Sequence, residues 1–172
     1  ALLIFSIVVV MALIFNEQTK LSQDVGSALA FVLVWFANIW LSMVEGGQGA
    51  LVGLAPVQKD LYKKSHPITH KCTTLAHKGD NLDRYLIGRQ FLVVLIVFVT
   101  NLSGAPVADA DILLLPDLAQ EIFLSSGVAM ILMTAILGQL TSQVNASYCM
   151  LDFIDTYVML FTLYVSLAIE AS

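Results

Sequence analysis

The chain has 172 residues, of which 58% are hydrophobic and only 12% charged, with a formal net charge of −5. Average globular proteins are about half apolar and about a quarter charged, so this balance excludes an ordinary water-soluble domain. No basic cluster with interleaved aromatic residues indicates nucleic-acid binding. Two cysteines, Cys72 and Cys149, exclude a disulfide scaffold. The composition therefore predicts a membrane protein.

Apolar runs of about 20 residues are long enough for a helix to cross a hydrocarbon core of roughly 30 Å. Two shorter apolar stretches, 49–57 and 112–115, are each closed by a proline and predict re-entrant or interfacial structure. We expect an all-α, polytopic bundle of about five transmembrane helices, with a broken or re-entrant element after the second. The predicted spans are 1–15, 25–44, 85–102, 122–140 and 148–169.

Basic residues predict the orientation of the chain, because lysine and arginine are retained on the cytoplasmic side of a membrane. The segment 58–84 holds six of them and the segment 103–121 holds none. We therefore expect 58–84 to be a basic cytoplasmic loop within a single membrane domain that covers 1–172. Because the chain opens inside an apolar run and stops soon after the last span, we also expect it to be a fragment of a longer protein.

Polar side chains at membrane depth are costly and usually face a protein interior or a water path, so they are the candidate functional residues. The first cluster is Glu45, Gly46, Gly47 and Gln48, at the end of the second span. Glycines let a backbone approach a ligand or break a helix, and a break frees backbone groups for coordination. This cluster is either a site beside a helix break within 46–56 or a solvated turn.

The second cluster, Gly88, Arg89 and Gln90, opens the third span. Arg89 can extend its guanidinium toward lipid phosphates, which would make it a membrane anchor. Gln90 is harder to explain in that way, because an amide carries both donor and acceptor atoms that need partners in an apolar setting. This cluster is therefore a second candidate site.

The third cluster ends the fourth span. Gln139 and Gln143 are four residues apart and share a helix face, and Asn145 follows them. These side chains either hold helices together by hydrogen bonds or line a path for a solute or cation.

The fourth cluster, Cys149, Met150, Leu151 and Asp152, opens the fifth span, and Asp155 follows on the face of Asp152. Carboxylates in the first turns of a helix complement its positive dipole end. Paired carboxylates also bind hard cations or share a proton, so a cation site is the alternative.

Three of these clusters match short motifs: E-G-x-Q at 45–48, G-R-Q at 88–90 and C-M-L-D at 149–152. In this order, on a multi-span chain, they resemble the silicic acid transporters of diatoms. The resemblance covers most of the chain and implies about ten spans in two related halves. It also implies sodium-coupled import of silicic acid for wall building, with E-G-x-Q and G-R-Q contacting the substrate. Only one such pair is present, so a second half or a second copy would complete the protein.

Silicic acid is a small, almost entirely uncharged tetrol at neutral pH, so its recognition requires side chains that both donate and accept hydrogen bonds. We therefore expect Gln48 and Gln90 to be its primary contacts. We expect Arg89 to neutralise Glu45 rather than to bind a neutral substrate, because an unpaired buried charge is expensive.

Sodium is the coupling ion that the resemblance implies, and no other cofactor is expected. Its candidate ligands are Asp152 and Asp155, with Asn145 or freed backbone carbonyls as supplements. The expected surroundings are the lipid bilayer of the plasma membrane, which the chain would cross several times.

Two other functions compete with ion-coupled transport. A passive channel for small neutral solutes would also use amides and an arginine as a selectivity filter. A structural membrane subunit would use the same polar residues only to hold helices together. No phosphate-binding loop, nucleophile elbow or H-E-x-x-H sequence is present, so enzymatic catalysis has no support.

Overall fold

The computed structural model describes residues 1–107, 117–125 and 127–172. In these ranges the structure is helices and turns, and the β-pairing is an isolated bridge between Thr19 and Pro106. The predicted all-α fold is confirmed, whereas the predicted short apolar stretch 112–115 lies outside the described residues. The α-helices are α1 (Leu2–Phe15), α2 (Lys20–Val25), α3 (Ser27–Gly53), α4 (Pro67–Ala76), α5 (Asn81–Gly104), α6 (Asp117–Gln120), α7 (Val128–Met133), α8 (Thr141–Tyr148), α9 (Met150–Ile154) and α10 (Tyr157–Glu170).

The described residues contain three helices that are long and apolar enough to cross a membrane. Two are α3 and α5, which contain most of the predicted second and third spans. The other, Val128–Tyr148, joins α7 to α8 through the π-helical stretch Thr134–Leu140. The helices α1 and α10 are apolar but have 14 residues each, fewer than the about 20 of a full crossing. Five crossings therefore stay a prediction.

The first polar cluster does not interrupt its helix. A break is predicted within 46–56, but α3 continues through Gly46 and Gly47 and ends at Gly53, so a break at these two glycines is wrong. The reason is packing: a Cβ on Gly46 would collide with the ring of Phe153, and one on Gly47 with the sulfur of Met159. The missing side chains let neighbouring segments approach α3, and this contact outweighs the roughly 1 kcal/mol that a helical glycine costs.

The fourth and fifth predicted spans, 122–140 and 148–169, have the wrong boundaries. Gly127, with a φ of +69°, precedes α7, and the helix continues to Tyr148. Beyond it, the chain is interrupted at Cys149 and again at 155–156, before α10 begins. The second interruption has a polar cause, because Asp155 accepts hydrogen bonds from the backbone of α4 and Thr156 caps α10. A hydropathy pattern does not register such distant partners.

The basic segment 58–84 is largely structured. It contains the 3₁₀ turn Lys59–Leu61, the whole of α4 and the first residues of α5. Proline at the first position of α4 suits a helix start, because its missing N–H would be unpaired there in any case. Lysines of this segment therefore lie on and around an ordered helix.

The chain divides into two compact units, Ala1–Ile39 with Ile96–Gly138, and Trp40–Leu95 with Gln139–Ser172. In the first unit, α1 packs against α7 around a core that includes Val10 and Met133. In the second unit, α4 packs against α9 and α10, and the core includes Tyr85 and Met159. All three motifs lie in the second unit, so its interior positions the candidate site.

Candidate functional site

A buried ion pair joins the first two motifs. Arg89 Nη1 lies 3.2 Å from Glu45 Oε2, and the two side chains are only 10% and 9% exposed. Gln143, on α8, donates a hydrogen bond from Nε2 to the same carboxylate oxygen at 3.1 Å. The predicted neutralisation of Glu45 by Arg89 is confirmed. Gln143 brings the third polar cluster to the same carboxylate.

Gly88 explains how Arg89 is positioned. A Cβ at Gly88 would collide with the backbone carbonyl of Ser166, so α5 and α10 lie in direct backbone contact there. One turn earlier, Arg84 Nε donates to Glu170 Oε2 at 2.6 Å. Residues four apart share a helix face, so both contacts hold the same side of α5 against α10.

The two predicted substrate amides differ in their relation to the ion pair. Gln90 is exposed, and its Oε1 accepts a hydrogen bond from Arg89 Nη2 at 3.3 Å. Gln48 is half-buried and lies one helical turn beyond Glu45 on α3. The contacts in the described part of the chain link Gln90, but not Gln48, to the ion pair. That both amides bind substrate stays a prediction.

Tyr85 also lies at this site, and the sequence-based predictions did not include it. It is fully buried and interacts electrostatically with Arg89 and Glu45. Its hydroxyl would lie 3.3 Å from a Cβ placed on Gly47 of the E-G-x-Q motif. Tyr85 and Arg89 are four residues apart on α5, and this spacing is the signal that could have found it.

Three buried polar atoms of the site make no hydrogen bond. Across the described residues these are Tyr85 Oη, Arg89 Nε and Arg89 Nη1, although Nη1 lies 3.2 Å from Glu45 Oε2. Buried polar atoms nearly always have partners, so these atoms are hydrogen-bonding groups that remain available beside the ion pair. The guanidinium offers a donor, and the phenol offers a donor or an acceptor. Such a site can hydrogen-bond water or a small uncharged hydroxyl compound.

Gln139 and Asn145 of the third cluster are not brought to the ion pair by any described contact. Gln139 is half-buried within the π-helical stretch, where its carbonyl accepts from Ser142 Oγ at 2.7 Å. Asn145 is exposed on α8. That Gln139 and Asn145 line a path for a solute or cation stays a prediction.

The C-M-L-D motif lies against α4 rather than at the buried pair. The Leu151 carbonyl accepts from Thr69 Oγ1 at 2.7 Å, and Asp152 Oδ1 lies 3.0 Å from His66 Nε2. Met150 packs on Gly53, close enough to collide with a Cβ there. Much of this motif therefore attaches α9 to its neighbours.

Asp155 has a structural partner at the start of α4. Its Oδ1 accepts from the backbone N–H groups of Ile68 and Thr69, each at 2.9 Å. Within the described ranges, no three His, Cys, Asp or Glu side chains converge as metal ligands. Sodium binding by Asp152 or Asp155 stays a prediction.

The two cysteines differ in exposure. Cys149 is exposed, whereas Cys72 is buried in α4, where burial raises the pKa of its thiol to about 12. Thiolate is the reactive form, so Cys149 is the accessible target for thiol reagents.

A family model described as silicon transporter matches the chain over residues 1–172. No curated protein and no solved structure matches it. The matched region includes the buried pair and all three motifs.

Proposed function

Because the chain belongs to the silicon transporter family, we propose that it carries silicic acid across a membrane and binds it beside the buried Glu45–Arg89 pair. The observation that carries this proposal is the convergence of the E-G-x-Q and G-R-Q motifs on one buried, neutralised carboxylate. Glu45 and Arg89 lie 44 positions apart in the sequence. Their meeting point is the best-supported place for a substrate.

The charge of the site suits an uncharged substrate. Glu45 and Arg89 carry opposite charges at 3.2 Å, so together they present no net charge. A charged substrate would lose its hydration at such a site without meeting an opposite net charge. A neutral tetrol loses only its hydrogen bonds to water. The unused Tyr85 hydroxyl and Arg89 Nε can replace some of those bonds.

Silicic acid presents four equivalent hydroxyl groups, each a donor and an acceptor. We propose that Tyr85 and Arg89 contact one side of it and that the amides of Gln48 and Gln90 contact another when the site opens. Gln143 holds the Glu45 carboxylate and is a positioning residue. The glycines at 46, 47 and 88 serve the same site by allowing close packing around it.

Sodium-coupled uptake through the plasma membrane for silica wall formation is the finer form of the proposal. Asp152, Asn145 and the second oxygen of Asp155 are the candidate sodium ligands. In this form, a second half of the chain or a second copy completes the pathway, as in transporters built from repeats.

Transport by Arg89 variants tests the role of the ion pair. Arg89→Gln should abolish most silicic acid uptake into proteoliposomes, because Glu45 is left buried without its counter-charge. Adding Glu45→Gln should restore part of the uptake, since the pair would again be neutral. The matched control is Arg84→Gln, which removes the same charge from the more exposed pair on the same helix. Normal uptake by Arg89→Gln alone would contradict the proposal.

Coupling separates the symporter from a passive channel. Accumulation of silicic acid against its gradient, lost when sodium is replaced by choline, supports the symporter. Equilibration at the same rate without sodium supports a channel for small neutral solutes.

A further inference from the structure

A cavity lies between the basic segment and the apolar helix α10. It has a volume of about 360 Å³ and is bounded by α4, the turn after it and α10. None of its lining residues belongs to the Glu45–Arg89 site. The lining comprises His70, Lys71, Thr74, Leu75, Lys78, Leu160 and Tyr164.

The two sides of this cavity differ in chemistry. Lys71 and Lys78 are exposed on the α4 side, and none of the described lining side chains is acidic. Leu160 and Tyr164 form the α10 side, one helical turn apart, and Tyr164 is 57% exposed. Their neighbour Phe161 is equally exposed, which is expected of an apolar helix that faces lipid.

A cavity with ammonium groups on one side and an apolar helix on the other fits a phospholipid. The negative headgroup pairs with Lys71 and Lys78, while the upper part of an acyl chain follows Leu160 and Tyr164. Basic pockets of this kind on the cytoplasmic side of membrane helices bind anionic headgroups. The basic segment 58–84 is predicted to be cytoplasmic, which is the side that carries anionic lipid.

We infer that this cavity binds the headgroup of an anionic phospholipid. The lipid would bridge α4 to α10, and Thr69 of α4 in turn donates hydrogen bonds to the Leu151 carbonyl of the C-M-L-D motif and to Asp155. Binding would therefore stabilise the packing of α4 within the second unit. This inference concerns a different site from the proposed substrate site and does not depend on it.

Native mass spectrometry of the detergent-purified chain tests the inference. Equal amounts of phosphatidylserine and phosphatidylcholine with identical acyl chains are added, and retained lipid is counted. We expect preferential retention of phosphatidylserine, and a loss of that preference by roughly tenfold or more in the Lys71→Gln/Lys78→Gln double variant. The matched control is Lys63→Gln/Lys64→Gln, which removes the same charge from exposed positions outside the cavity and should retain the preference.

Three outcomes would overturn the inference. Equal retention of the two lipids by the unmodified chain would remove any role for the headgroup charge. Equal losses in the two double variants would indicate general attraction by net charge rather than a site. Displacement of phosphatidylserine by inorganic phosphate at the same concentration would make the site one for free anions. The exposed lysines do not hold the fold together, so circular dichroism should be unchanged in both variants.

Discussion

Two arginines of α5 each form an ion pair with a glutamate of another helix, and the two pairs differ in length and in burial. Arg84 meets Glu170 at 2.6 Å with side chains 37% and 23% exposed, whereas Arg89 meets Glu45 at 3.2 Å with side chains 10% and 9% exposed. The shorter pair is the more exposed to solvent, so water competes for its hydrogen bonds and screens its charges. The longer pair is buried and leaves donor atoms unused. The proposed site therefore rests on the burial of the Glu45–Arg89 pair and not on the length of its contact.

Stability measurements should separate the two pairs most clearly. Arg89→Gln leaves Glu45 charged in a buried site, so we expect a loss of about 3–5 kcal/mol of unfolding free energy. Arg84→Gln should cost less than about 1 kcal/mol, because both partners remain accessible to water. Denaturation of the purified variants in detergent measures both values. Equal losses would show that burial does not distinguish the pairs.

Glycines of the same unit provide the next comparison. Gly88→Ala places a Cβ against the Ser166 carbonyl, so α5 and α10 must separate, at a cost of about 1–3 kcal/mol. Gly49→Ala meets open space on the exposed face of α3 and should stabilise by about 0.5–1 kcal/mol. Thermal unfolding of the two variants should shift in opposite directions. A stabilising Gly88→Ala would contradict the close contact between α5 and α10.

Asp155 and Asp152 also differ in how strongly they should contribute to stability. Asp155 accepts two backbone hydrogen bonds at the start of α4, so Asp155→Ala should cost about 1–2 kcal/mol. Asp152 is 79% exposed beside His66, and Asp152→Ala should cost less than about 0.5 kcal/mol. Proteolysis of the α4 region reports both effects. A larger effect of Asp152→Ala on α4 protection would contradict this assignment.

The sequence predicts part of this arrangement because some of its causes are local. Apolar length identifies α3 and α5, since lipid imposes a minimum length on any crossing helix. The pairing of Glu45 with Arg89 also follows from sequence, because two opposite charges in an apolar setting are costly apart. In both cases, the free energy that determines the structure depends on properties of these residues that can be seen in the sequence.

Other features depend on partners that are remote in sequence. Glycines at 46 and 47 are compatible with a helix break or with close packing, and only Phe153 and Met159 decide between them. The interruption at Asp155 depends on backbone groups of α4 that lie 86 and 87 residues away. Tyr85 resembles an ordinary interfacial tyrosine until Arg89 and Gly47 are seen beside it. Hydropathy and motif spacing carry no information on these contacts.

The most direct test of the proposed site is Tyr85→Phe, which removes one hydroxyl that has no hydrogen-bond partner among the residues the structure describes. Loss of an unsatisfied buried hydroxyl should leave the unliganded fold unchanged or stabilise it by about 1 kcal/mol. Loss of a substrate hydrogen bond should weaken silicic acid binding by roughly fivefold to tenfold. The control Tyr157→Phe changes a tyrosine that is 73% exposed and should alter neither quantity.

Equilibrium binding of silicic acid to the purified chain, measured together with its unfolding midpoint, decides the matter. The account predicts that Tyr85→Phe binds more weakly while unfolding at the same or a higher midpoint than the unmodified chain. Unchanged binding with an unchanged or raised midpoint would contradict it, because the hydroxyl would then be a buried group that no substrate uses.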